Sequence, residues 1–331
     1  METHLVVGIG ELLWDVRGEE HDLAEYPSTT GLPGESLGGA PANFAVMAGR
    51  LGNHAVVLSR IGRDDRGRRA VSQLDPLPAD ASNVQVDPTH ETGRVTVALH
   101  AGQPSYTIHQ PAAWDFMELS DTWVQLAERA DALCFGSLAQ RCHDSRQTIQ
   151  TLAAQASSAC IRVFDVNLRA PFYSSEVLQE SLELATVLKM NDAEVPLVLD
   201  LLGLPVLDGP ASERLRLDAQ RLLDEFPTLR LVAVTRGGQG SLLVTRDEWH
   251  EHPGWAVKVA DTIGAGDAFT AALIHYMLRG ANLATLNEAG NRWGGWVASQ
   301  VGAMPQMTEA TLARIAAEID IAAGIEGIRQ Q

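Results

Sequence analysis

The sequence predicts an α/β fold in which a mainly parallel central sheet carries helices on both faces and a small antiparallel β lid projects from it. Three observations carry that expectation. Apolar runs rich in β-branched residues recur along the 331 residues with helix-period segments between them, the pattern of a parallel sheet covered on both faces. Asp15, Asp165, Asn191, Thr235 and Asp261 each fall at or just after the end of a predicted strand, where such sheets place their ligands. Two segments, 11–37 and 94–109, break the alternation and suit the lid.

The strands expected in order are Leu5 to Ile9, Ala55 to Ser59, Ala132 to Gly136, Ile161 to Val166, Thr186 to Met190, Leu231 to Thr235 and Trp255 to Val259. Helix patterns lie between them, among them Asn43 to Leu51, Ser145 to Ala156 and Ser212 to Glu225. Segment 11–37 carries polar and turn residues with few helical cues. Segment 94–109 alternates with period two and sets Val95, Val97 and Leu99 on one face. No repeat, low-complexity tract or linker interrupts the chain, so residues 1–331 read as one domain with a lid insertion.

Composition limits the function classes. Hydrophobic residues make up 45 % and charged residues 20 %, enough for a sizeable core. A net charge of -17 argues against a nucleic-acid binder and against docking on an anionic membrane. It leaves anionic substrates open, because a site can be locally positive inside a negative whole. The two lysines, Lys189 and Lys258, do not follow a glycine, so the G-x-x-x-x-G-K-[S/T] phosphate loop is missing. Gly8 and Gly10 follow a strand, but Leu13 stands where a dinucleotide fingerprint needs glycine. Cys134, Cys142 and Cys160 form no CxxC, which suits free thiols in a reducing compartment. The Met-Glu-Thr-His start lacks a basic leader and no apolar run reaches membrane-spanning length, so a cytoplasmic protein is expected. His250 and His252 lack the companions of a zinc site and are expected to face solvent.

The stretch Asp261-Thr262-Ile263-Gly264-Ala265-Gly266-Asp267 runs straight into an apolar helix pattern. A small-residue turn entering a helix leaves several N–H groups free and pointing one way, and with the helix dipole they make an anion site. A carboxylate in that position is suited to accept a proton from an alcohol while the N–H groups hold a phosphoryl group. The plain alternative is a glycine turn before a buried helix. Upstream, Gly38-Gly39-Ala40-Pro41-Ala42-Asn43 precedes another helix pattern. Paired glycines allow close approach to the backbone. Asn43 offers two donors and an acceptor for hydroxyl recognition, and Asp15 can accept from a diol.

These two glycine-rich stretches, the second continuing through Ala48-Gly49-Arg50-Leu51-Gly52, resemble the paired signatures of the ribokinase-like (PfkB) carbohydrate kinases. The resemblance implies Asp267 as the base and the amides near Gly264, Ala265 and Gly266 as the anion hole. It implies sugar contacts from Asp15, Gly38, Gly39 and Asn43. Gly62 to Gly67 resembles the family's G-x-D-x-x-G turn, and Thr235-Arg236-Gly237 its nucleotide-phosphate turn, with Asn291 near the adenine. Asn191 to Glu194 resembles the N-x-x-E element that orders magnesium through its water shell; read by itself it is also a helix capping box. Asp261, Ile263, Val297, Gln300, Gly302 and Gln306 match positions that bind a monovalent cation in potassium-activated relatives. The resemblance thus implies ATP, Mg2+ and K+, a sugar substrate and a homodimer built through the lid.

Gly10 to Asp15, Ala112 to Asp115 and Phe164 to Arg169 resemble fructokinases, which favours D-fructose. Arg169 keeps 2-keto-3-deoxygluconate open, since a guanidinium pairs with a carboxylate; its alternative is a structural ion pair. Ribokinase, nucleoside kinase and a non-catalytic sugar sensor are the further readings.

Overall fold

The computed structural model describes residues 3–17, 34–100, 103–205 and 210–322. The chain opens with β1 (Leu5–Ile9), leaves the main body through β2 (Leu13–Arg17) and β3 (Glu35–Gly38), and returns through α1 (Ala40–Arg50) and β4 (His54–Leu58). Next come β5 (Arg60–Gly62), α2 (Asp65–Leu74), β6 (Gln85–Asp87), β7 (Gly93–His100) and β8 (Gln103–Ile108). Helices and strands then alternate through α3 (Asp121–Arg129), β9 (Ala132–Gly136), α4 (His143–Gln155), β10 (Ile161–Asp165), α5 (Ser175–Leu184), β11 (Val187–Asn191), α6 (Glu194–Leu201), α7 (Ala211–Glu225) and β12 (Leu231–Thr235). A hairpin of β13 (Ser241–Val244) and β14 (Trp249–His252) precedes α8 (Ala265–Met277), α9 (Leu283–Ala298) and α10 (Glu309–Ala322).

Eight strands form the main sheet in the order β14-β13-β12-β11-β10-β9-β1-β4. β4 through β12 are parallel and the β13–β14 hairpin adds antiparallel to that edge. Strand alternation splits the core in two. Val7, Ile9, Phe135 and Phe164 face one layer with Trp114 and Trp123, while Val6, Cys134 and Val163 face the other with Phe44, Phe269 and Trp293. Side chains set the helix starts: Ser120, Ser174 and Asn282 each accept the backbone N–H three residues on, satisfying a donor that the helix leaves free.

The lid is a four-stranded sheet, β3-β2-β7-β8. Its outer pairs are antiparallel and its central β2–β7 pair is parallel. Residues 18–33 and 101–102 of the expected lid segments lie outside the described residues. Its base is fastened to α2. Arg66 and Arg69 pair with Glu35 at 2.7 and 2.6 Å, and Trp14 Nε1 donates to the Arg66 carbonyl at 3.1 Å. Asp64 ties the same helix to β7 by accepting from Gly67 N, Thr92 N and Thr92 Oγ1, each at 2.7 Å.

The structure differs from the sequence reading in two elements. Trp255 to Val259 is not a strand: the edge strand is β14, and Pro253 followed by Gly254, at φ +84°, ends it. Asp15 does not sit at the tail of β1; the chain turns at Gly10, φ +149°, and Asp15 lies within β2, opposite Ser36 and Val95.

Candidate active site

Gly264 is the N-cap of α8 at φ +78°. A methyl group built on it would meet Ala303 Cα and O at 2.7 Å, so glycine is required both for the dihedral and for the close approach. Among the described residues the N–H groups of Gly264, Gly266 and Asp267 find no protein acceptor, and they stand at the positive end of α8. Ala265 differs from expectation. Its N–H bends back to the Thr262 carbonyl at 3.3 Å, which closes the turn and removes it from the unpaired set. Asp261 braces the turn, accepting from Ile263 N at 3.0 Å and Gly302 N at 3.1 Å.

The Gly38-to-Asn43 turn meets this one directly. Asn43 Nδ2 donates to Asp267 Oδ2 at 2.7 Å, across 224 residues of sequence. Asn43 holds that position because α1 is pressed onto β1: a methyl group on Gly8 would come within 2.2 Å of the Pro41 carbonyl. Asn43 Oδ1 is buried and has no partner among the described residues, an acceptor open to a donor from elsewhere. Asp15 closes the other side, with Oδ2 only 3.0 Å from where a Gly38 side chain would begin.

Beneath the junction lies a set of buried charges, of which sequence reasoning marked Asp165 by its place at a strand end and missed Lys189 and Glu11. Lys189, on β11, is tied to Asp165 Oδ1 on β10 at 3.0 Å. Asp165 Oδ2 lies 3.1 Å from the Thr270 hydroxyl, itself 3.0 Å from the Gly266 carbonyl. Glu11 is only 3 % exposed; its Oε1 accepts from Ala40 N at 3.2 Å and its Oε2 has no partner among the described residues. The available signal was charge inside or beside apolar strand runs, one of the chain's two lysines among them.

These surroundings shift two carboxyls. Burial, then the charge of Asp165, raises Asp267 to about 6 against the pull of Lys189, Asn43 and Arg169. Burial raises Glu11 to about 7, with Asp267 adding to the rise and the backbone bonds and Arg169 opposing it. Both groups titrate higher in the fold than in the unfolded chain. The folded state therefore binds more protons between about pH 4 and 7 and loses stability as pH rises through that window. Glu11→Gln removes its share. Its urea-unfolding free energy should match wild type near pH 4 and exceed it at pH 8 by on the order of 3 kcal/mol. A gap independent of pH would show that Glu11 is not held neutral by its burial.

The remaining expected residues separate into groups. Asn191 and Thr235 are register partners at the ends of β11 and β12. Gly237, at φ +54°, follows in an exposed turn with open space around it. Asn191 and Glu194 form the capping box: Glu194 Oε2 accepts from Asn191 N at 2.8 Å and Asn191 Oδ1 from Glu194 N at 3.0 Å. Glu194 Oε1 also accepts from Leu168 N at 2.8 Å. With each oxygen so engaged, this pair fits an ion held through water rather than by direct ligation. Among the described residues no group of three or more His, Cys, Asp or Glu is placed to hold a metal. Asn291 Nδ2 is spent within the protein, near Ser241 Oγ at 2.6 Å and the Asn287 carbonyl at 2.7 Å.

Of the cation positions, Asp261, Ile263 and Gly302 meet through the bonds above. The Val297 carbonyl accepts from Gln300 N at 2.9 Å, and Gln306 is exposed. Arg169 is exposed and donates to its own Leu168 carbonyl at 3.1 Å, while its charge reaches Asp267 and Glu11. His250 and His252 are not solvent-facing as expected. Asn287 Nδ2 lies 3.1 Å from His250 Nδ1, and His252 is buried 2.8 Å from Glu288 because the hairpin packs on α9. Trp114 and Asp115 serve the core: Asp115 accepts from Arg141 at 2.7 and 2.8 Å, and the guanidinium lies 3.9 Å above the Trp114 ring.

The pfkB family carbohydrate kinase pattern matches residues 3–310. The uncharacterized sugar kinase PH1459 of Pyrococcus horikoshii is 31 % identical over 296 residues, 87 % of each chain. Its crystal structure superposes with a TM-score of 0.78, covering 95 % of this chain and 99 % of that one. Fructokinase-1 of Oryza sativa subsp. japonica is 29 % identical over 326 residues, 92 % of this chain and 95 % of the relative. Fructokinase of Vibrio cholerae O395, solved with fructose, ADP and calcium, is 27 % identical with a TM-score of 0.75, covering 95 % and 99 %. A match over almost the whole length, on a sheet whose two glycine-rich turns converge on one carboxyl, makes this chain a member of the pfkB family of carbohydrate kinases.

Proposed function

We propose that this kinase transfers the γ-phosphoryl group of ATP to a primary hydroxyl of a monosaccharide, D-fructose first among them. The observation that carries the reading is the 2.7 Å bond from Asn43 to Asp267, which joins the sugar-side turn to the phosphate-side turn at one carboxyl. Asp15, the Gly38–Gly39 backbone and Asn43 orient the sugar so that the hydroxyl faces Asp267. The hydroxyl oxygen forms a bond to the γ-phosphorus as the bond to the β-phosphate oxygen breaks; Asp267 takes the proton and ADP leaves. The free N–H groups of Gly264, Gly266 and Asp267 stabilise charge on the transferring oxygens from fixed positions. Positioning and electrostatics supply most of the acceleration in such transfers.

Thr235 and the Gly237 turn lie on the nucleotide side, and Asn291 walls that side from within. Magnesium, when bound, neutralises phosphate charge. Asn191 and Glu194 would order its water. The lid strands carry Asp15, so closure over the sugar would exclude water as a competing acceptor.

Fructose is supported by the fructokinase-like segments and by fructokinases among the relatives; the V. cholerae enzyme was solved with fructose and ADP. Arg169 supports a second reading, an acidic sugar such as 2-keto-3-deoxygluconate, because its exposed guanidinium is electrostatically close to Asp267. A panel of fructose, ribose, 2-keto-3-deoxygluconate and nucleosides, assayed with ATP and magnesium by ADP release, decides between them. Fructose should give the highest kcat/KM, and Arg169→Ala should leave that rate unchanged. A far higher rate with the acidic sugar, abolished by Arg169→Ala, would replace fructose. No ADP release with any sugar would remove the kinase reading.

A further inference from the structure

We propose that Lys189 is a positioning residue for phosphoryl transfer, whose buried ammonium, anchored by Asp165, lies under the Gly266 turn and keeps the Asp267 carboxyl ionised and in place. The inference rests on Asp267 being the base.

The geometry gives three independent supports. Lys189 is buried on a central parallel strand, and its Nζ lies 3.0 Å from Asp165 Oδ1 in the adjoining strand. A methyl group on Gly266 would begin 3.0 Å from that same Nζ, so the ammonium packs against the underside of the turn. Asp165 is also held by Thr270, one turn further along α8, whose hydroxyl also lies 3.0 Å from the Gly266 carbonyl. The pair thus touches the start of α8 at Gly266 and, one turn on, at Thr270, on either side of Asp267 in sequence.

Charge explains what this placement does. The charge of Asp165 reaches Asp267 through the core and favours its neutral form, as a like charge does. A neutral Asp267 cannot accept a proton. Lys189 supplies the opposing charge. Burial presses it towards losing its proton, but Asp165, Asp267 and Glu194 outweigh that, and its pKa ends above the ordinary lysine value. It therefore stays cationic across the working range of pH. Among the described residues, the charges that bear most on Asp267 are those of Asp165, Lys189 and Arg169, with Glu11 close enough to feel its charge and Asn43 as its hydrogen-bond donor.

The test is the acid limb of the kcat/KM profile between pH 5 and 9, read on the best sugar of the panel. Lys189→Met should move that limb to higher pH by about 1–3 units, the usual effect of an adjacent opposite charge. Asp165→Asn should move it to lower pH, since it removes the repelling carboxylate. The double variant should bring the limb back towards wild type, a rescue that lost packing alone would not produce. An acid limb fixed at its wild-type position in Lys189→Met overturns the proposal. If that variant does not fold, an unmoved limb in Asp165→Asn overturns it equally. Asp267→Asn separates the two readings: near-normal turnover there defeats the base itself, whereas an inactive Asp267→Asn with unmoved limbs defeats Lys189 alone.

Discussion

Asp267→Asn is expected to lower turnover by a factor on the order of 10²–10⁴, the usual contribution of a positioned general base, with sugar affinity close to wild type. Asparagine keeps the shape of the side chain, and its amide oxygen can still accept from Asn43 Nδ2, which now lies 2.7 Å from Asp267 Oδ2. What it loses is the ability to take a proton. The wild-type profile should fall below about pH 6, where the carboxyl raised by burial and Asp165 becomes protonated. The residual rate of the variant should lack that limb. Steady-state ADP release across pH, with calorimetric titration of the sugar, reads both. Turnover near wild type, or a lost sugar affinity that accounts for the whole drop, would take the proton-accepting role from Asp267.

Much of this was legible because it is local. Apolar strand runs between helix-period segments specified the parallel sheet, and the run Gly264-Ala265-Gly266-Asp267 specified a turn with unpaired N–H groups at the start of α8, because only local backbone is needed to build it. Misreadings arose where a local turn or a distant partner claimed a group that composition alone assigned elsewhere. Trp255 to Val259 has strand composition, yet Pro253-Gly254 had already ended the edge strand, and Trp255, Val257 and Val259 are left exposed. His252 looked like a surface residue until α9 brought Glu288 to it. Ala265 shared the small-residue pattern of the anion hole, but its N–H was claimed by Thr262 three residues earlier. Asp165 was marked by its place at a strand end, but Lys189 and Glu11 became functional candidates only once the sheet order placed them under the turn, information that no single segment carries.

Gly264→Ala is expected to cost both stability and rate, and the two losses have separable causes. At φ +78° an alanine pays a left-handed penalty of about 1–2 kcal/mol. In addition its methyl group would sit 2.7 Å from Ala303 Cα and O, and backbone cannot swing aside as a flexible side chain does. Relief requires the turn to move, which re-aims the Gly266 and Asp267 N–H groups. Loss of one such donor typically costs about 10²–10³ in kcat. Gly280→Ala is the matched control. Gly280 has nearly the same dihedral, φ +72°, in open space, with nothing within 4 Å of an added methyl group. It should show the dihedral penalty in its unfolding free energy and keep its turnover. Gly264→Ala should show a larger stability loss and a kcat lowered about a hundredfold or more, with the ATP KM changed less. Equal kcat in the two variants would mean that the turn at Gly264 holds the helix in place without stabilising the transferring phosphoryl group.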